Sequence, residues 1–150
     1  MKKAQVLALI ITVILIVLLF NLDITHKKEQ ETKGSDSKIQ LAIEKVKGQN
    51  PMEGIMMLTE IVDTEPENVE ALFYLGMFSI ESGQFEKAIV RFQSILSIDS
   101  SFIIAHRYLG ESLLAIGDTI GALNELEKYV LVERDNENKQ EINILINKLN

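Results

Sequence analysis

The sequence predicts an all-α protein: a row of helix–turn–helix repeats closed by a capping helix and preceded by one long hydrophobic helix. Two observations carry that prediction. The chain resembles itself at an offset of about 34 residues, a length that suits one helix–turn–helix unit. Residues 4–22 contain no charged side chain. A third observation, an apolar stripe in residues 137–150, supplies the cap.

The hydrophobic run from Ala4 to Leu22 is mostly Ile, Leu, Val and Ala, with Gln5, Thr12 and Asn21 as its polar members. As a helix it rises about 28 Å, close to the hydrocarbon thickness of a bilayer. It has no polar face to show to water, which argues against a soluble core helix. A cleaved signal peptide has a shorter apolar stretch and ends at small residues, whereas this run leaves through Leu18-Leu19-Phe20-Asn21-Leu22-Asp23. The expectation is an uncleaved, single-pass membrane anchor over residues 1–23. Lys2 and Lys3 abut the run and favour a cytoplasmic N-terminus, with the following domain periplasmic or extracellular. Lys27, Lys28 and Lys33 on the far side oppose that orientation. Residues 24–35 have little apolar content and read as a polar tether. A frayed helical extension over Lys27 to Lys33 is the alternative.

The repeat is read by superposition. Leu75-Gly76 falls on Leu109-Gly110, and Gly83 on Gly117, Ala88 on Ala122, Phe92 on Leu126 and Ile95 on Tyr129 follow at the same offset. In the other direction Leu41-Ala42 meets Leu75-Gly76, Gly54 meets Ala88, and Leu58 meets Phe92. This pattern resembles the tetratricopeptide repeat family, whose units are about 34 residues long. The family has Leu-Gly in the first helix, a small residue at the turn, then a small and a bulky residue in the second helix. The resemblance implies a right-handed α-solenoid of three repeats, about residues 35–68, 69–102 and 103–136, within a domain spanning 36–150. The first unit departs from the pattern, with Ala42 for Gly and Gly54 for Ala, but keeps Pro66 at the closing position.

Each element has a physical reason. Gly76, Gly110, Ala88 and Ala122 stand where two helices approach closely, so larger side chains would separate them. Gly83 and Gly117 end first helices, where a positive φ is expected. Pro66 follows a helix and cannot continue it. Asp99 and Asp118 are candidate caps near the turns. Helices are predicted over about 36–48, 51–64, 69–82, 85–98, 103–116, 119–132 and 138–149. In the last, Ile142, Leu145, Ile146 and Leu149 form one stripe, away from Lys139, Glu141 and Lys148, as a terminal cap requires.

Composition narrows the function. The net charge is −7, and Lys2 and Lys3 lie outside the repeats, so the repeat region is more acidic still. That disfavours nucleic acid, which needs a basic face. No cysteine is present, which removes disulfides, thiolate metal sites and thiol nucleophiles. His26 lies in the tether. His106 occupies a first-helix packing position, and Glu111, five residues on, does not share its face. No catalytic set, phosphate-binding glycine loop or metalloprotease motif is seen. Neither enzyme activity, a cofactor nor a metal is expected. Met52, Met56 and Met57 read as core filler in the degenerate repeat, with a soft binding surface as the alternative.

In the family the first helices line a groove that holds ligands. On that register the inward positions are Ile39, Ile43, Val46 and Lys47, then Glu70, Phe73, Met77, Ile80 and Glu81, then Ile104, Arg107, Glu111, Leu114 and Ala115. The centre is apolar and the rim charged, which suits a peptide or helix with an apolar face. The carboxylate-gripping clamp of chaperone-binding members is absent, because its positions hold Ile39, Ile43, Tyr74, Ile104 and Tyr108. The expected function is a membrane-anchored, non-catalytic protein-interaction scaffold or assembly factor in a bacterial cell envelope. The alternative is a homo-oligomer self-associating through its repeats.

Overall fold

The structure, a computed structural model, describes residues 13–22 and 37–149. The chain divides into two compact units, Met1–Lys38 and Ile39–Asn150.

In the first unit residues 13–22 are helical, and their apolar side chains are exposed. Among the described residues no helix is long and apolar enough to cross a membrane. This corrects the expectation of a single-pass membrane protein with its domain outside. The start of the expected span, residues 4–12, and the expected tether lie outside the described residues, and so does His26.

The second unit is all helical among its described residues. Its first helix, α1, is described over residues 37–47. Then come α2 (Pro51–Thr64), α3 (Val69–Glu81), α4 (Phe85–Ile98), α5 (Ile103–Ala115), α6 (Thr119–Val132) and α7 (Asn136–Leu149). From α2 onward, each helix packs on its neighbour in the chain, and α3 also touches α5. That contact pattern is one of stacked repeats, each burying its apolar face only against adjacent units.

The boundaries follow from local chemistry. Pro51 opens α2, where its missing N–H costs nothing and its fixed φ suits the first turn. Asn68 caps α3 by accepting from the Ala71 N–H at 3.0 Å. Gly83, at φ +70°, and Gly117, at φ +86°, end α3 and α5 as expected. Around each the same pair of bonds closes the helix: Gly83 and Gln84 donate to Ile80 and Ser79, and Gly117 and Asp118 donate to Leu114 and Leu113. These are Schellman closures, which satisfy carbonyls that would otherwise lack donors. Asp118 caps α6 through the Gly121 N–H at 2.9 Å. Asp99 instead accepts from the Ser101 N–H at 2.9 Å, a turn-forming bond and not a helix cap. Asp135 caps α7, accepting from the Glu137 N–H at 2.8 Å.

The close approaches fall where small residues recur. A Cβ on Gly76 would stand 2.7 Å from Phe92 Cζ, and one on Gly110 would stand 2.7 Å from Leu126 Cγ. Ala88 and Ala122 are fully buried. In the first repeat the roles are exchanged: Ala42 sits on the first helix, and it is Gly54 of α2 whose Cβ would collide with the Ala42 carbonyl and Val46. The glycine has moved across the helix pair and the close approach has been kept.

Among the described residues three apolar clusters result. Ile39, Ala42 and Ile43 of α1 join Leu58 and Ile61 of α2 and Ala71 and Leu75 of α3. Leu72, Ala88, Phe92, Ile95, Ala105 and Leu109 form the middle cluster. Leu126 and Tyr129 of α6 meet Ile142 and Ile146 of α7, the stripe expected of the cap.

Candidate functional site: an apolar hollow among the first helices

The first helices are held side by side by these clusters, and between α1, α3 and α5 they leave a hollow of about 320 Å³. Ile43 and Val46 of α1 form one wall, and Phe73, Met77 and Phe78 of α3 another. Tyr74 of α3, Tyr108 of α5 and the fully buried Leu58 of α2 complete the apolar lining. Its two charged residues are Lys47 and Glu81. Both are exposed, and among the described residues neither makes an ion pair. The volume lies at the lower end of ligand pockets, room for one or two large apolar side chains.

The aromatic residues of the hollow pack on one another and on rings behind them. Phe73 makes edge contacts with Tyr74, Phe92, Phe102 and Tyr108, at centroid distances of 5.8, 6.2, 5.6 and 5.8 Å. Phe92, fully buried, stacks on Tyr108 at 5.6 Å. Such pairs contribute about 0.5–1.5 kcal/mol beyond the area they bury. Arg91 of α4 secures α3 from behind, donating to the Leu75 carbonyl at 3.0 Å and to the Ser79 hydroxyl. Burial pushes the Arg91 guanidinium below its ordinary value.

Of the groove residues expected from sequence, the structure brings Ile43, Phe73 and Met77 to the hollow, with Val46, Lys47 and Glu81 around them. Ile39, 1% exposed, belongs to the core. Ile80 packs half-buried against the middle cluster, and Ile104 packs against the cluster under α7. Arg107, Glu111 and Leu114 lie on α5 outside the hollow. Tyr74 and Tyr108, which sequence assigns only a negative role as vacated clamp positions, are walls of the hollow. They hold the same position in successive repeats, and that recurrence is the signal that could have placed them there. Phe78 and Leu58 were also absent from the expected lining.

The other end of the row is occupied by charge. Arg107 donates to Glu111 at 2.8 Å and reaches across to Glu141 of α7 at 3.1 Å. Burial lowers the Arg107 pKa, but Glu111 and Glu141 outweigh it and hold the group above its ordinary value. His106, half-buried as a packing residue, pairs through Nδ1 with Glu125 at 2.6 Å. Glu125 also accepts from Lys128 at 2.8 Å. Burial raises the Glu125 carboxyl, and the bonds from Lys128 and His106 overcome that and leave it below the usual value. Among the described residues no group of three or more His, Cys, Asp or Glu side chains is placed to hold a metal ion.

The methionine cluster departs from expectation. Met52 and Met56 are 68% and 66% exposed, so they fill no core. Met57 alone of the three packs against the first cluster. The helical i, i+4 spacing put Met52 and Met56 on one face, but periodicity alone could not say that this face of α2 looks to solvent.

No protein-family model matches the chain, and no curated protein sequence matches it. Solved structures do. A crystal structure of MamA aligns with TM-score 0.64 at 18% identity, covering 76% of this chain and 63% of that one. A second MamA structure gives 0.53 at 18%, covering 64% of each. A mutant O-GlcNAc transferase from Thermobaculum terrenum gives 0.61 at 21%, covering 67% of this chain and 19% of that one. The chain thus spans less than two thirds of each of these proteins. At such identities the likeness is one of fold, and the fold shared with these neighbours is a tetratricopeptide-like helical array.

Proposed function

We propose that this chain is a protein-interaction scaffold of the tetratricopeptide type, and that it binds the apolar face of a peptide or helix in the hollow between α1, α3 and α5. It binds and does not catalyse. The observation that carries this reading is the hollow itself: a braced apolar recess on the first helices, edged by two charges that are unpaired among the described residues. Burying apolar surface there supplies affinity, and the two charges supply selection. The fold likeness to other repeat arrays supports a scaffold role and names no partner.

Met77→Glu puts a carboxylate into the recess, while Ile120→Glu changes a side chain that is 84% exposed on α6. Affinity purification of the full chain should lose its bound protein with Met77→Glu and keep it with Ile120→Glu. Retention of every bound protein by Met77→Glu would reject the hollow as the binding surface. If the only species retained is a second copy of the chain, the self-association reading takes its place.

A further inference from the structure

The two charges beside the hollow, Lys47 and Glu81, occupy the same position in successive repeats. Lys47 lies at the end of α1, and Glu81 is the last residue of α3. Gln40 of α1 donates to Glu70 of α3 at 3.3 Å, and residues of both helices join one apolar cluster, so these helices are neighbours. Packed helices lie about 8–10 Å apart. One cation and one anion therefore stand side by side, about one helix spacing apart. Two other charges of these helices are engaged: Lys45 binds Glu53 at 2.7 Å, and Glu70 accepts from Gln40.

A ligand helix has a matching interval. Its residues i and i+7 are about 10.5 Å apart and nearly on one face. Residues i+3 and i+4 lie between them on that face. A helix laid across α1 and α3 can thus lower its i+3 and i+4 side chains into the recess while i and i+7 meet the two charges. The recess volume suits two apolar side chains, and the charge pattern suits one acid and one base.

We infer that the partner segment is an amphipathic helix carrying two bulky apolar residues at i+3 and i+4, flanked by side chains of opposite charge at i and i+7. This rests on the reading of the hollow as a protein-binding surface and adds the chemistry that selects the partner. The helix can lie in either direction, so either charge order is accepted. Like charges at both flanks are rejected, because one of them faces its own sign.

The probe is a displayed library of short alanine-based helices, randomised at i, i+3, i+4 and i+7 and selected on the full chain. Binders are expected to carry opposite charges at i and i+7. Selection on Glu81→Lys should instead yield acids at both flanks, and selection on Lys47→Glu bases at both. A peptide selected on the wild-type chain should lose about three- to tenfold in affinity on either single reversal, the scale of an exposed ion pair lost and replaced by a repulsion. Both residues are exposed, so the variants should keep the helical circular dichroism of the parent. If Met77→Glu abolishes binding but neither reversal alters the selected charges, the inference fails and the hollow stands as the binding surface. If the library yields no binder that depends on Met77, both fail.

Discussion

The row of first helices has two unlike ends. Between α1, α3 and α5 it is apolar and leaves a hollow, and its two charges stay unpaired among the described residues. Between α5 and α7 it is charged, and Arg107 is spent on Glu111 and Glu141. The repeat pattern alone makes these ends equivalent. What separates them is the terminal helix. α7 must cover the last repeat, because an exposed apolar face there would have no neighbour to bury it. Covering it brings Ile142 and Ile146 onto Leu126 and Tyr129 and places Glu141 within reach of Arg107.

The largest expected effect comes from removing a ring that supports the hollow. Phe92→Ala should destabilise the chain by about 3–5 kcal/mol in denaturant unfolding, and it should also remove the stacking partner of Tyr108. Leu126→Ala, at the matching position of the next repeat, should cost about 2–5 kcal/mol and leave peptide binding to the folded fraction intact. Loss of binding by both variants in their folded states would mean that the ends are not independent.

A finer contrast lies in the glycines. Gly76→Ala and Gly110→Ala each push a Cβ into a neighbour 2.7 Å away. Leu126 can adjust its rotamer, while Phe92 is locked between Phe73 and Tyr108. Overpacking costs about 1–3 kcal/mol, and Gly76→Ala should fall above Gly110→Ala in unfolding experiments. Equal costs would show that the aromatic bracing does not stiffen the site.

Acid should act on the sealed end. The folded Glu125 carboxyl lies below its ordinary value of 4.5. Its contribution to stability is therefore present above that value and is lost as pH falls through the lower folded value. Unfolding midpoints measured from pH 6 downward, on the order of one-unit steps, should show an acid loss that Glu125→Gln reduces. The smallest effect is expected at the bridge to α7. Glu141 is 64% exposed at its side chain, so Glu141→Gln should change stability by less than about 1 kcal/mol, and less again in high salt.

Much of this was legible in the sequence, because the repeat constrains it twice. A residue at a close approach or a turn is fixed both by its own chemistry and by its counterpart in the adjoining repeat. Gly83 and Gly117 were legible for that reason. The cap stripe through Ile142 and Ile146 was legible from its helical spacing. The helices α2 to α7 begin and end within two residues of the ranges read from sequence, and α1 ends within one. The site was less legible. Ile39, Ile43 and Phe73 share a helical face with their neighbours in the pattern, but whether such a face meets a core or a hollow depends on how neighbouring helices are spaced. Ile39 therefore proved to be core, and Tyr74 and Tyr108 proved to be walls. Arg107 and Glu111 were placed in the groove because their register is right. Arg107 pairs with Glu111 and with Glu141 of α7, and where α7 docks is not encoded in the repeat period. The anchor was read from hydropathy over residues 4–22, of which 13–22 are described, and no described helix has the length to cross a membrane.

The methionine methyls can test the central claim directly. Met77 lines the hollow, whereas Met52 and Met56 are exposed on α2. In the full chain with labelled methionine methyls, titration with a selected helix should shift the Met77 resonance and leave those of Met52 and Met56 in place. A Met77 resonance that stays fixed at saturation, or a shift confined to Met52 and Met56, would contradict the account.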